Sequence, residues 1–381
     1  MKRVVDGSRI MHVHVIIPSI NQLLGVRALK PLLEKNDTKV IIIDEGDQKL
    51  RKNNRTFISE IRHEFYGPQE RAEWFKKHFG SSYETYLHVI PERCHAETSF
   101  GFLMAYAEQP DLVIELDDDV FVIDGQDFVD LHHENIEGNF GITVESKGSW
   151  YNSMENLELS TDAEVFPRGY PYVPDARNAE YKWLDKGGKC VLNMGLWAGN
   201  PDLDALTFLY HGGFAGECHI RGVRCKRKKV IVAKGTYFPV CSMNTAFVPK
   251  IIPAFYQLYM NHMGVNRFDD IWSGILLKKI ADHMGDKMCL GEPTVYHYRG
   301  PRDPFKQLMM EWDGIVINEI LWRIVDSLPL DGETYWDAYN SFMHEFGRSI
   351  AKTTLAPLHK KFIRTQIEKM RLWLKTVDKL E

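Results

Sequence analysis

The sequence predicts an α/β protein: a doubly wound sheet covered by helices and followed by a helical C-terminal extension. Three observations carry that prediction. Short β-branched runs alternate with helical segments over the first third of the chain. Two of those runs end in acidic clusters, and the residues after about Leu321 keep a helical apolar period to the end.

Taken in order, Val13 to Ile17 is a β-branched run stopped by Pro18, and Leu23 to Leu33 reads as a helix. Lys39 to Ile43 is a second buried strand, closed by Asp44, Glu45, Gly46 and Asp47. Tyr86 to Ile90 reads as a third strand. Phe100 to Ala107 reads as a helix, and Leu112 to Leu116 as a further strand. Strand–helix–strand spacing of this kind favours parallel pairing, and such sheets gather ligands at the carboxyl ends of their strands. From Trp150 to Lys229 the chain is aromatic, rich in Gly, Pro and Asn, and poorly periodic, which reads as long functional loops over the sheet. Phe255 to Met263 and Ile271 to His283 read as helices.

The last stretch places Ile363, Ile367, Met370, Leu374 and Val377 on one helical face in basic surroundings. That face can pack on the protein's own body, associate with a second copy to make a homo-oligomer, or rest on a membrane surface.

With 381 residues, 44% of them hydrophobic, the chain can bury a large core. A net charge of −5 gives no footprint for nucleic acid, and none is expected as a partner. No apolar run reaches the roughly 18 to 20 residues that span a bilayer, so no transmembrane segment is expected. Lys2 and Arg3 are followed by Asp6 and Arg9, and the apolar run from Val13 ends at Pro18, too soon for a signal-peptide core. The expectation is a cytoplasmic protein. The six cysteines lack paired C-x-x-C spacing, and Cys218, His219 and Cys225 have no second ligand pair, so reduced thiols are expected rather than zinc.

The strongest chemical signal is Asp117, Asp118 and Asp119, set between the apolar runs Leu112 to Leu116 and Val120 to Ile123. Adjacent carboxylates repel, and desolvating them is costly without a cation or hydrogen-bond donors. Hard oxygen ligands suit Mg²⁺ or Mn²⁺, which commonly bridge protein carboxylates to phosphates. Asp269 and Asp270 stand at a predicted helix start, where they can serve the helix dipole, contact sugar hydroxyls or act as a base. His297 lies among tyrosines, as a structural hydrogen-bonding residue or a ligand. Arg267, Arg299 and Arg302 can pair with a diphosphate or simply be solvated. Arg168, among aromatics and prolines, can stack on a ring.

These motifs together resemble the reversibly glycosylated polypeptides, the UDP-arabinopyranose mutase family. The resemblance runs in order through VIIPSI at Val15 to Ile20, DEGD at Asp44 to Asp47 and DDDVFV at Asp117 to Val122. It continues with RGYPY at Arg168 to Tyr172, GLW at Gly195 to Trp197 and PDLDA at Pro201 to Ala205. KGTYFPVCSMNTAF at Lys234 to Phe247, RFDDIWSG at Arg267 to Gly274, the pair Tyr296 and His297, and Pro304 with Phe305 complete it. The chain departs from the family at Asn21, Glu45, Thr98 and Ser99 and from Ala176 to Lys189.

The resemblance implies the glycosyltransferase A fold, a doubly wound mixed sheet. The expected organisation is a nucleotide-sugar-binding catalytic domain over residues 1–320 and a helical extension over 321–381. It also implies that Asp117, Asp118, Asp119 and His297 hold Mn²⁺ or Mg²⁺ against a diphosphate. Glu45 and Asp47 would meet the nucleobase, and Asp117, Trp197, Asn244, Arg267 and Arg299 would contact the substrate. Arg168 would stand at the anomeric carbon, with Asp269 or Asp270 as base. The implied activity is interconversion of pyranose and furanose forms of a UDP-sugar, UDP-arabinose in the family, with reversible self-glycosylation at Arg168. Two alternatives stay open: transfer of the sugar from a UDP- or GDP-sugar to a separate acceptor, and nucleotide-sugar binding without turnover.

Overall fold

The structure, a computed structural model, describes residues 4–5 and 8–380. Lys2, Arg3 and Asp6 lie outside the described residues.

One thirteen-stranded sheet organises the chain. Its strands are β1 (His12–Ser19), β2 (Asp37–Asp44), β3 (His63–Tyr66), β4 (Leu112–Leu116), β5 (Val120–Val122), β6 (Ile142–Ser146) and β7 (Leu157–Leu159). The rest are β8 (Tyr181–Leu184), β9 (Leu192–Gly199), β10 (Gly222–Cys225), β11 (Lys229–Val232), β12 (Asn244–Phe247) and β13 (Met288–His297). The main order is β8-β6-β11-β13-β9-β12-β4-β1-β2-β3. The run β3-β2-β1-β4 is parallel, as its helical crossovers require. Beyond it β12 runs antiparallel to both β4 and β9, while β9 and β13 are parallel. The sheet is therefore mixed, and β1 is its switch strand, with chain connections departing on either side.

β-Branched residues explain the early strands: Val13, Val15, Ile16 and Ile17 in β1 and Val40 to Ile43 in β2 are all fully buried. The longer helices are α1 (Gln48–Phe57), α2 (Pro68–Phe79), α3 (Ser99–Glu108), α4 (Phe128–Glu137), α5 (Asp269–Met284), α6 (Pro304–Ser327), α7 (Tyr335–Ala351) and α8 (Pro357–Asp378).

Four sequence expectations need correction. Residues 86–90 do not form a strand: Tyr83–Leu87 is a short helix, held by Tyr86 stacking on Phe79 at 4.6 Å. The third parallel strand is instead β3, whose polar sequence HEFY hides it. Leu23 to Leu33 forms only a 3₁₀ turn, Gly25–Leu29, and one α-turn, Lys30–Leu33. The segment after Ala254 is irregular rather than helical, because its backbone answers to tertiary partners: Gln257 N donates to Ser99 Oγ and Leu258 N to Ser273 Oγ. The aromatic loop region holds β9, eight buried residues in the middle of the sheet, whose sequence LNMGLWAG has neither alternation nor β-branched residues.

The boundary expected at 320/321 falls inside α6, and the terminal helices share one hydrophobic core with the sheet. The apolar face of α8 is covered by the chain itself. Trp373 stacks on Tyr256 at 5.2 Å, and its indole N–H donates to the carbonyls of Ile252 and Pro253. Own-body packing thus answers for the face that could have served a second copy or a membrane. All six cysteines are free. Among the described residues, no helix is long and apolar enough to cross a membrane.

Candidate functional site

A cavity of about 360 Å³ opens at the carboxyl ends of β1 and β4, facing the N-terminus of α5. The acidic triplet is its floor, and each of its three carboxylates has a different neighbour.

Asp118 is committed to the loop after β1. Its carboxylate accepts from Ser19 Oγ at 3.0 Å, Ile20 N at 3.2 Å and Asn21 N at 3.1 Å, with Asn21 Nδ2 at 3.3 Å. Burial, then Asp117 and Asp119, push its carboxyl up to about 6 against those hydrogen bonds. Asp119 turns to the strand β13. Antiparallel pairing of β5 with β13 sets Val120 opposite His297 and brings His297 Nε2 to 3.6 Å from Asp119 Oδ2. Burial raises the Asp119 carboxyl, but His297, Arg302 and Arg299 together lower it below its ordinary range. Arg302 lies 3.9 Å away.

His297 Nδ1 is 2.7 Å from the carbonyl of Asn200, and a carbonyl there requires the proton on Nδ1. Nε2 is then the ring nitrogen that faces Asp119. A carboxylate oxygen and an imidazole nitrogen this close, with the imidazole oriented by a backbone acceptor, fit a divalent cation with open positions for phosphate and water. Asp119 and His297 are the donors the fold gathers; Asp118's oxygens are already occupied, and Asp117 faces another partner.

That partner is His95, which the sequence reading passed over. Its Nδ1 is 2.9 Å from Asp269 Oδ2, its Nε2 3.3 Å from Asp117 Oδ1, and Ser242 Oγ lies 3.3 Å from Nε2. Burial lowers the imidazole's basicity, but Asp269 and Asp117 outweigh it and hold His95 well above its usual range. Three elements distant in sequence meet here, so no local pattern could have shown the contact.

Arg168 is buried and fully engaged. Its Nε lies 3.1 Å from both oxygens of Asp202, its Nη2 3.1 Å from Asp270 Oδ2, and its Nη1 donates to the carbonyl of Arg267. Burial raises the Asp202 carboxyl, but Arg168 overrides it and holds Asp202 at about 2. Asp270 stays raised, by burial and by the adjoining Asp269 and Asp202 carboxylates, despite Arg168. Asp202 was legible within the PDLDA motif, although its partner was not.

Other expected residues fall elsewhere. Arg267 lines the cavity and pairs with Glu311 at 3.2 Å. Arg299 lines an adjoining cavity of about 170 Å³ that meets the first at Arg302. Burial, Arg267 and Arg302 bring the Arg299 guanidinium down to about 10. Four residues expected at the substrate do not line either cavity. Asp47 caps α1 by accepting from Leu50 N at 2.8 Å, and Glu45 pairs with buried Arg71. Trp197 is a core residue of β9. Asn244 is fully buried and bridges His132 and the Pro293 carbonyl, each at 2.9 Å. At the opposite end of β1, His12, His14 and Glu108 approach one another, but both Glu108 oxygens accept from Lys39, at 2.9 and 2.7 Å.

Comparison with known proteins covers nearly all of the chain. A protein-family model described as "Reversibly glycosylated polypeptide" matches residues 10–381. The probable UDP-arabinopyranose mutase 1 of Solanum tuberosum is 26% identical over 381 residues, covering 96% of this chain and 90% of that protein. The UDP-arabinopyranose mutase 1 of Arabidopsis thaliana is 26% identical over 382 residues, covering 96% and 92%. Among solved structures, glucosyl-3-phosphoglycerate synthase from Mycobacterium tuberculosis in complex with UDP is similar with a TM-score of 0.41 and 11% identity, over 84% of this chain and 82% of that one.

Proposed function

Because the chain belongs to the reversibly glycosylated polypeptide family, we propose that it interconverts the pyranose and furanose forms of a UDP-sugar, with Mn²⁺ or Mg²⁺ as cofactor. The observation that carries the reading is one cavity lined by Asp119 and Arg302, which His297 backs from β13, and by Arg168 and Asp270, which Asp202 backs. The first suits a diphosphate and its counter-ion; the second suits a reacting sugar.

Asp119 and His297 would hold the cation, which when bound neutralises charge on the departing diphosphate. Arg302 and Arg267 add fixed positive charge on the same side. Asp117 and Asp269, joined through His95, provide negative potential for an anomeric carbon that becomes cationic as its bond to oxygen breaks. The diphosphate leaves C1, a C1–O4 bond replaces the C1–O5 bond as the O4 proton passes to O5, and the same diphosphate returns to C1, so the interconversion balances without an outside reactant. Arg168 acts here as a held cation: a guanidinium between two carboxylates keeps its protons and is a poor nucleophile. Self-glycosylation would first need one of its nitrogens to surrender a proton, and of the two carboxylates in contact Asp270, raised where Asp202 is lowered, is the better acceptor.

The adjoining cavity favours one second reading, transfer to a separate acceptor, because it opens beside Arg302 with room of its own. Incubation with a panel of UDP- and GDP-sugars and Mn²⁺, followed by chromatographic separation, distinguishes the two. Acceptor-free ring contraction of a UDP-pentopyranose is the expected result. Hydrolysis alone, or product only with an added acceptor, overturns the mutase. Arg168→Lys is expected to bind the nucleotide sugar within about threefold of wild type and to lose turnover, since an ammonium cannot span both carboxylates; full turnover would remove Arg168 from the mechanism.

A further inference from the structure

Where β1 begins, at the far end of the strand from the cavity, lies a cluster that the mechanism does not use. His12 and His14 alternate with Val13 and Val15, so both imidazoles leave β1 on one face. The parallel register sets His12 beside Asp37 and His14 beside Lys39 of β2. Glu108, the last residue of α3, reaches the same place. His12, His14 and Glu108 each offer a ligand atom within 4.8 Å of the other two. His14 is fully buried, and among the described residues neither of its ring nitrogens has a hydrogen-bond partner. Its Nε2 is 3.3 Å from Glu108 Oε2, a close approach without the alignment of a hydrogen bond. Two ligand atoms about 2.0–2.1 Å from one ion at the tetrahedral angle stand about 3.3 Å apart, so the spacing fits a shared ion.

The surrounding contacts fit the same centre. Asp37 Oδ2 lies 3.2 Å from His12 Nδ1, which keeps the proton there and leaves Nε2 as the basic nitrogen. Lys39 donates to both Glu108 oxygens, and each oxygen keeps a second lone pair, so the ammonium orients the carboxylate without using it up. Lys39 also meets Glu64 Oε1 at 3.0 Å and so keeps a counter-charge of its own. Glu108 closes α3 at the negative end of the helix dipole, where a cation is favoured. The His12 and Glu108 side chains are 33% and 37% exposed, which gives an ion a way in from solvent while His14 supplies the inner ligand.

We propose that His12, His14 and Glu108 form a second metal site, for Zn²⁺, which ties the start of β1 to the end of α3 and leaves one position for water. Two imidazoles and one carboxylate select Zn²⁺ over the harder Mg²⁺ and Mn²⁺, which favour all-oxygen ligands. The site goes beyond the UDP-sugar reading and stands independently of it.

The test is calorimetric titration of the full chain with Zn²⁺ in excess Mg²⁺, with Co²⁺ absorption and thermal unfolding beside it. Wild type should take up one Zn²⁺ that Asp119→Asn leaves in place, and Co²⁺ there should show the visible bands of a tetrahedral centre. The partly exposed ligands carry the test, because His14 is too buried to replace without disturbing the fold. His12→Ala and Glu108→Gln should each weaken Zn²⁺ by about a hundredfold, and Asp37→Asn, acting through His12, by about tenfold. Zn²⁺ at about a hundred times its dissociation constant should raise the unfolding midpoint of wild type by about 3 °C and leave the two ligand variants unmoved. Zn²⁺ uptake that survives both His12→Ala and Glu108→Gln, or that disappears with Asp119→Asn alone, overturns the assignment. So does wild type that takes up no Zn²⁺.

Discussion

Replacing Arg168 by methionine is the sharpest test of how the sugar-side clamp is built. The change removes a guanidinium whose side chain is 9% exposed and leaves Asp202 and Asp270, at 6% and 5%, facing each other without a cation. Removing one partner of a buried ion pair costs about 3–5 kcal/mol, because the stranded charge keeps its desolvation penalty. The shift of Asp202 from 3.8 to about 2 gives an independent scale, about 2 kcal/mol for that one partner. Because its folded value is the lower one, this stability is present above pH 3.8 and is lost as the pH falls toward 2. Urea unfolding of wild type and Arg168→Met, from pH 7 downward, should show a large loss for the variant at pH 7 and convergence of the curves in acid. The triple variant Arg168→Met, Asp202→Asn, Asp270→Asn should recover more than half of the loss. A cost under about 1 kcal/mol at pH 7, or curves that stay parallel in acid, would refute the clamp as the source of the stability.

Other expectations follow from the same geometry. Asp119→Asn and His297→Ala should each weaken Mn²⁺-dependent UDP binding by about tenfold or more, while metal-free binding changes little, as titration with and without chelator will show. Asp118 has a folded value raised from 3.8 to about 6, so the metal-free protein should lose about 3 kcal/mol as pH rises from 4 to 7. Asp118→Asn should flatten that slope in unfolding curves; an unchanged slope removes Asp118 as its source. Trp373→Ala, which empties a fully buried site between α8 and Tyr256, should cost about 3–5 kcal/mol in the same assay.

The parallel half of the sheet was legible because β1, β2 and β4 are buried on both faces and written in Val and Ile. The long run of β9 was not, since Gly195 and Gly199 are there for close approach of neighbours rather than for strand propensity. At the site, the acidic triplet announced itself by three like charges between apolar runs. What the sequence could not apportion was their separate duties: Asp118 to the loop at Asn21, Asp117 to His95 and Asp119 to His297. Those duties depend on tertiary contacts, at 97 residues' separation for Asn21 and 22 for His95, and on strand pairing for His297. Glu45 and Asp47 show the converse. A loop that looks poised for a ligand uses its carboxylates for Arg71 and the start of α1, and neither of them lines the cavity.

The parallel register of β9 and β13 sets Gly199 opposite His297 and presents the Asn200 carbonyl to the imidazole. At Gly199 the backbone adopts φ +78°, and a side-chain carbon would come within 2.5 Å of the His297 carbonyl, so only glycine fits. The hydrogen that decides which nitrogen of His297 is basic is therefore dictated by main chain alone. Residue 200 can change its side chain freely without altering that choice, whereas even alanine at 199 would disturb it from a position that never meets the substrate.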